Sequence, residues 1–200
     1  SIFAERTGLF RHHFAQAFDA SPDFTDGDNC FEVLRGVNFV AAHGARVRDH
    51  RDSLSPNVVD NVDRGLAYSL ADVAEAHLQQ SRIARAWLNL FEDIDVVICP
   101  AASSAPFPHA QWSVDEIDGK PMETYMRWLG ITYLPTMALA CSIALPCGLD
   151  QAGMPFGIQV LGAPGKDKAV IEIAKSLETV LAQHDKTRRH APNLSDLKNN

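Results

Sequence analysis

The 200-residue chain has the composition of an ordinary globular protein, with 46% apolar and 22% charged residues, which argues against intrinsic disorder. Its formal net charge is −7 and its densest basic cluster is the short segment from Lys186 to Arg189, so we expect no nucleic-acid partner. The longest apolar runs fall well short of the roughly 20 residues that a bilayer-spanning helix needs, so we expect no membrane partner and see no secretory signal in the sequence.

Two amphipathic helices are predicted at the start of the chain. Phenylalanines recur at roughly helical spacing from Phe3 to Phe18, until Ser21-Pro22 breaks the pattern. A similar periodicity from Phe31 to Ala45 predicts the second helix.

Two further helices are predicted from their start signals. Ser55-Pro56 combines a capping serine with proline at the first helical position, and a short helix should follow. Ser69, with Asp72 three residues later, opens the longest periodic segment, a helix of about six turns that ends near Asp93. Its predicted inner face consists of Leu70, Val73, Ala74, His77, Ser81, Ala84, Leu88 and Phe91.

The middle of the chain changes from helical to strand periodicity. Asp95 to Pro100 is a short β-branched run that is apolar on both faces, as is typical of a strand inside a sheet covered on both sides. A loop from Ala101 to Trp112 should follow, and Pro121 is expected to open a helix that ends at Gly130.

The last third of the chain predicts two strands and a helix. The strands are Cys141 to Pro146 and Phe156 to Leu161, joined by a glycine-containing reversal. A helix from about Lys166 to Gln183 completes the folded portion, residues 1–183, and a partly mobile polar tail, residues 184–200, follows. About six helices and three strands give an α/β fold with too few strands, so we interpret the chain as part of a larger sheet.

The cysteine and histidine patterns favour free thiols over metal binding. No Cys-x-x-Cys or His-x-x-x-His spacing occurs, and Gly162 to Gly165 lacks the spacing of a phosphate-binding loop, so we expect no metal and no cofactor. Apolar surroundings are typical of reduced, buried thiols, which is consistent with a cytoplasmic protein. The four cysteines, Cys30, Cys99, Cys141 and Cys147, all lie in or beside apolar stretches.

A serine nucleophile needs a neighbouring base and an oxyanion hole, which a glycine-rich turn around the serine normally supplies. Ser103-Ser104 follows the predicted strand, but no glycine flanks it and the chain has no Gly-x-Ser-x-Gly motif. We therefore do not assign a nucleophile to these serines.

Two stretches of the sequence resemble the amidase signature family. The first is Asp95-Val96-Val97-Ile98-Cys99-Pro100, with Ala105-Pro106 after it. The second and more specific stretch is an apolar run that ends in Pro146-Cys147-Gly148, followed by Gly153-Met154-Pro155-Phe156-Gly157-Ile158-Gln159 and a further apolar strand. Apart from the resemblance, Gln159 can satisfy a buried polar neighbour with both ends of its amide, and Pro155 is tolerated at the first position of a strand.

The resemblance implies an α/β/α fold, with a mixed sheet flanked by helices, and an amidase that hydrolyses carboxamide C–N bonds. In that family a serine nucleophile is activated by a lysine through a second, cis-bonded serine, in a Gly-Gly-Ser-Ser-Gly-Gly-like stretch that this chain lacks. The chain therefore resembles the C-terminal portion of an amidase. Its catalytic residues are expected outside these 200 residues, and the chain alone is expected to be inactive.

The sequence departs from the family near the acyl pocket. Similar proteins have an Asn-x-Thr-Gly-x-Pro-like segment where this chain reads Thr136 to Cys141. Leu139 stands in place of the glycine and is expected to fill space there, which favours a small or unusual amide substrate. The candidates for lining the substrate funnel are Tyr133, Thr136, Met137 and Cys141.

Two alternatives remain open beside the amidase portion. The chain could be a non-catalytic fragment or subunit that completes a sheet with another chain, or an amidotransferase A-type subunit. The expected partners are a small amide substrate and either the missing N-terminal amidase portion or a second chain. Exposed strand edges would also permit a homo-oligomer.

Overall fold

The computed structural model describes residues 1–191, which form two compact units. Unit 1 consists of Ser1–Ser21, Ile94–Thr132 and the chain from Ala140 onward, and unit 2 consists of Pro22–Asp93 and Tyr133–Leu139. The helices are α1 (Ile2–Phe10), α2 (Gly27–His50), α3 (Pro56–Ala67), α4 (Leu70–Leu90), α5 (Gly130–Met137) and α6 (Asp167–Leu181). The strands are β1 (Val97–Pro100), β2 (Glu116–Ile117), β3 (Lys120–Pro121), β4 (Cys141–Leu149) and β5 (Pro155–Gly162).

Unit 1 is built on an antiparallel three-stranded sheet in the order β1-β5-β4. The predicted strands at Cys141 and Phe156 are confirmed as β4 and β5, and the last predicted helix is confirmed as α6. α6 packs on β4 and β5 because its apolar face matches theirs. The shared core consists of Phe10, Leu145, Cys147, Ile158, Val160, Val170, Ala174, Leu177 and Leu181.

The predicted strand after Asp95 is confirmed as β1, and its expected position inside a larger sheet stays a prediction. β1 pairs with β5 on one side, no described strand pairs with its other side, and its four residues are half-buried. Apolarity on both faces indicates which surfaces avoid water, but it does not show which neighbour covers them.

The first predicted helix is shorter than the phenylalanine pattern suggests. α1 ends at Phe10, which is buried, whereas Phe14 is in an extended conformation and Phe18 is 61% exposed. The Arg11 side chain donates to the carbonyl of Ala17 at 2.9 Å, which holds the extended segment. Aromatic residues are only moderate helix formers, so the phenylalanine spacing alone did not determine where α1 ends.

A helix beginning at Pro121 is also wrong. Pro121 ends β3, which pairs with β2 in a short hairpin, and helical structure begins later, at Arg127. The hairpin turn is Asp118-Gly119, with φ values of 49° and 75°. Asp-Gly is the residue pair favoured by a two-residue turn with positive φ, so this signal was available in the sequence.

Unit 2 is a helical unit in which α2 packs against both α3 and α4. The predicted helices after Ser55 and Ser69 are confirmed, and Ser69 with Asp72 forms a complete capping box. The longest helix is α2, with 24 residues, rather than α4, with 21.

The predicted inner face of α4 is wrong. Ala76, Gln79, Ile83 and Trp87 are buried, whereas Leu70 is 86% and Leu88 is 48% exposed. Both stripes have apolar residues at helical spacing, and packing buries the stripe that carries the indole of Trp87.

The polar tail predicted from His184 begins as packed structure. Thr187 is fully buried, and its hydroxyl donates to the carbonyl of Leu181 at 2.7 Å. The mobile part expected further on lies mostly outside the described residues, and the boundary after residue 183 stays a prediction.

Within the described range, none of the helices is both long and apolar enough to traverse a bilayer.

Candidate functional site

Gln159 lies on β5, the central strand of unit 1, and only 6% of its surface is exposed. Its amide nitrogen donates to the carbonyl of Pro100, at the end of β1, at 3.1 Å. The same nitrogen donates to the carbonyl of Ile131, in the first turn of α5, at 3.0 Å. The nitrogen end of the amide therefore satisfies two carbonyl groups, the corresponding role of its oxygen end stays a prediction, and one side chain joins two strands to the start of a helix.

Cys99 lies opposite Gln159 in the register of β1 and β5. Burial raises the pKa of the Cys99 thiol to about 11, although a hydrogen bond with Gln159 partly offsets that effect. The thiol is therefore protonated at neutral pH, and it is unsuited to act as a nucleophile because thiolates are the reactive form.

Three of the four predicted substrate-lining residues lie on α5, and the structure gives them different environments. Tyr133 and Met137 are buried, with 6% and 5% of their surfaces exposed, whereas Thr136 is exposed. The Tyr133 ring stacks on Phe31 with centroids 3.9 Å apart, and its hydroxyl donates to the carboxylate of Asp28. Tyr133 is thus held by unit 2 at both its ring and its hydroxyl.

Cys141, the fourth predicted residue, is the first residue of β4 in unit 1. It is half-buried, and its thiol donates to the carbonyl of Ala163 at 3.2 Å. The structure therefore brings Tyr133, Thr136 and Met137 together on one helix and places Cys141 in the other unit. A role in substrate binding stays a prediction for all four.

Leu139 has an unusual backbone conformation, which sequence reasoning missed. Its φ is 58°, in the left-handed region, and 69% of its surface is exposed. Only glycine adopts this region without a steric penalty, so the backbone here suits the glycine that the family resemblance implied for this position. Within unit 2 the exposed side chain does not fill a cavity.

The other candidate groups are not arranged for nucleophilic catalysis or for metal binding. Ser103 and Ser104 lie half-buried in the loop after β1. Among residues 1–191, no three His, Cys, Asp or Glu side chains are grouped so that they could hold a metal ion. These groups can shape and orient a binding surface, but they do not include an activated nucleophile.

Comparison with known proteins shows the family. The family model Amidase matches residues 47–171, which include α3, α4, α5 and the whole three-stranded sheet. The chain therefore belongs to the amidase family, as its resemblance to the amidase signature predicted.

Similar proteins are longer than this chain. The A-type subunit of glutamyl-tRNA(Gln) amidotransferase from Cyanothece is 31% identical over 96 residues, which is 48% of this chain and 19% of that protein. An acylamidase of Rhodococcus erythropolis is 29% identical over 116 residues, which is 58% of this chain and 24% of the relative. The chain thus spans about a fifth to a quarter of these curated relatives.

The fold is also shared with solved structures. A bacterial aryl acylamidase of the amidase signature family matches with a TM-score of 0.79 and 17% identity, over 90% of this chain and 39% of that one. The predicted α/β class, with a sheet flanked by helices as part of an amidase-signature fold, is confirmed.

Proposed function

We propose that this chain is the C-terminal portion of an amidase-signature hydrolase that cleaves carboxamide C–N bonds, with its catalytic residues outside these 200 residues. The observation that carries the proposal is the family match over residues 47–171, which includes the strand-connector-strand segment from β4 to β5. The lengths of the relatives support the partial character of the chain.

In this proposal the chain contributes residues that line one side of the substrate-binding site. Tyr133, Thr136, Met137 and Cys141 are the proposed lining residues, and the substrate is a small carboxamide. Thr136 supports the assignment best, because its hydroxyl lies on an exposed side chain and can donate to or accept from an amide.

Amide hydrolysis by the chain itself tests the proposal. Release of amine from an aryl acylamide is measured for residues 1–200 alone and for the polypeptide extended by the coding sequence upstream of Ser1. We expect turnover from the extended protein only. Turnover at enzymatic rates by residues 1–200 would place the nucleophile within this chain and overturn the proposal.

The edge of β1 supports a second candidate, a non-catalytic portion that completes a sheet with another polypeptide. Ala101 donates to the carbonyl of Gly157 at 2.9 Å, so alternation along the antiparallel pair points the backbone groups of Ile98 away from β5. β4, at the opposite edge, contains Pro146 and a register irregularity before Leu149, which are features that protect an edge strand. β1 is short and ends in Pro100, so the open backbone groups on its outer side are those of Ile98.

The partner proposed for that edge is the rest of the amidase fold, carried by the same polypeptide or by a second chain. If the partner is a second chain, this chain would be part of an amidotransferase A-type subunit, and the similarity to the Cyanothece relative supports that candidate. The net charge of −7 indicates that nucleic acid would be held by another subunit. Co-purification of a second chain at fixed stoichiometry would distinguish this candidate from a single-chain amidase.

A cytoplasmic location is part of the proposal. All four cysteines are free, and Cys30 and Cys147 are buried. Reduced thiols are typical of that compartment. Fractionation of cells that express the protein tests the location directly.

A further inference from the structure

A proline interrupts the hydrogen bonding of α5. Pro135 lies inside this helix and has no backbone N–H. In an α-helix the N–H of residue 135 would donate to the carbonyl of residue 131, so the Ile131 carbonyl lacks its helical donor. Ile131 is half-buried, and a carbonyl that is shielded from water is costly without another donor.

The compensating donor is the side chain of Gln159. Its amide nitrogen lies 3.0 Å from the Ile131 oxygen and 3.1 Å from the Pro100 oxygen, which accounts for both of its hydrogens. Because Gln159 is 6% exposed and lies on the central strand, water cannot readily replace it. A side chain of β5 therefore makes the bond that the helix cannot make for itself.

We infer that Gln159 is a positioning residue, which fixes the first turn of α5 by replacing the hydrogen bond that Pro135 removes. The inference rests on the proposed function insofar as α5 carries Tyr133, Thr136 and Met137. A carboxamide suits this position because it offers two donors to two carbonyl oxygens, whereas a carboxylate of the same shape offers none. The identity of residue 159 is thereby linked to that of residue 135.

The linkage is tested with four proteins: the unsubstituted chain, Gln159→Met, Pro135→Ala and the double variant. Methionine keeps the side-chain volume but donates no hydrogen bond, and alanine at position 135 restores the backbone donor. Hydrogen exchange is measured at the amides of α5. Gln159→Met should accelerate exchange about tenfold, as expected for one lost hydrogen bond. The same substitution should have little effect on α5 when residue 135 is alanine.

Gln79→Met is the matched control. Gln79 is another buried glutamine, and its amide nitrogen donates to the carbonyl of Thr25 in unit 2. Its substitution should affect α5 to the same extent with proline or alanine at position 135. Equal acceleration of α5 by Gln159→Met in both backgrounds would overturn the inference.

A separate measurement, of KM and kcat, tests whether Gln159 affects substrate binding. In the catalytically active protein, Gln159→Met should raise KM for the amide more than it lowers kcat, and adding Pro135→Ala should reverse most of that rise. An unchanged KM together with coupled exchange would overturn the positioning of the substrate residues. Failure of the unsubstituted protein to hydrolyse any amide would instead count against the proposed function, and the exchange result would still decide the role of Gln159.

Discussion

Leu139 shows how a single residue can carry backbone strain. Its left-handed φ of 58° brings Cβ close to the following carbonyl, which costs about 1–2 kcal/mol for a residue other than glycine. We expect Leu139→Gly to raise the free energy of unfolding by about 0.5–1 kcal/mol, since the gain is partly offset by the greater freedom of glycine in the unfolded chain. Urea denaturation measures the change. Leu139→Ala is the control, because it shortens the exposed side chain but keeps the strain, and an equal gain from alanine would refute the explanation.

Both the backbone conformation and the close packing at position 148 require glycine. Its φ is 83°, and a Cβ at this position would lie 1.9 Å from the carbonyl oxygen of Lys186. We expect Gly148→Ala to lower the free energy of unfolding by about 3 kcal/mol or more, because strain and overpacking add. Gly153 is the matched control, since its φ is 77° but no atom lies within 4 Å of the added Cβ. Gly153→Ala should lose only about 1 kcal/mol in the same urea titration, and equal losses would rule out the packing contribution.

Cys99 and Cys147 should react slowly for an electrostatic reason. Burial raises the pKa of each thiol to about 11, so at pH 8 the thiolate fraction is roughly a hundredfold smaller than for an exposed thiol. We expect iodoacetamide to modify Cys99, which is partly exposed, roughly a hundredfold more slowly in the folded chain than in urea, as followed by peptide mass spectrometry, and Cys147 should react more slowly still because it is fully buried.

The same two thiols give a pH dependence of stability. Because their folded pKa values lie above that of an unfolded thiol, the unfolded chain releases protons first as the pH rises. Stability should therefore fall between about pH 8.5 and pH 11. Equal alkylation rates in the folded and unfolded chains would contradict both expectations.

At the scale of elements, the capping box of α4 is the clearest local determinant. The Ser69 hydroxyl accepts from the Asp72 backbone N–H at 3.2 Å, and the Asp72 carboxylate accepts from the Ser69 N–H at 2.8 Å. Ser69→Ala should lower the free energy of unfolding by about 1 kcal/mol, as monitored by circular dichroism during urea denaturation. Ser81→Ala, in the exposed middle of the same helix, should change it by less than about 0.5 kcal/mol. Comparable losses from the two variants would argue against the cap.

Helices, strands and turns whose determining residues lie close together in the sequence could be predicted. The capped start of α4, the reversal between β4 and β5, and the apolar stripe of α6 each depend on residues close together in the chain. The buried face of α4 could not be predicted, because its two stripes are both partly apolar and only the packing of Trp87 separates them.

In the candidate site, too, features with a local sequence signal could be predicted and features that depend on tertiary contacts could not. The buried role of Gln159 could be predicted from its motif, but its bond to Ile131 depends on a distant part of the chain. Tyr133 could be placed in the right segment, whereas its stacking on Phe31 is a tertiary contact that has no sequence signal.

At the scale of the whole molecule, the open edge of β1 predicts self-association. A small sheet with unpaired backbone groups on an edge strand tends to pair with another strand. We expect residues 1–200 to bind a hydrophobic dye and to form higher-mass species in light scattering. Val97→Lys should reduce this association, because a charge on an edge strand opposes pairing.

Ser142→Lys is the matched control for that edge. Val97 and Ser142 both pair with Leu161 across β5, so they share a face of the sheet but lie on opposite edge strands. The control should leave the association unchanged. A monodisperse, dye-silent monomer, or equal effects of the two lysines, would contradict an open β1 edge.

The three tryptophans of the chain fall in three different environments. Trp87 is fully buried between Phe24 and Phe91 in unit 2, Trp128 meets Phe107 edge-on in unit 1, and Trp112 is 89% exposed. Once Trp112 is replaced by phenylalanine, intrinsic fluorescence carries one built-in reporter for each unit. Replacing Trp128 or Trp87 by phenylalanine as well leaves a single tryptophan in unit 2 or in unit 1, and comparing the denaturation curves of these two variants shows whether the two units melt together or in succession.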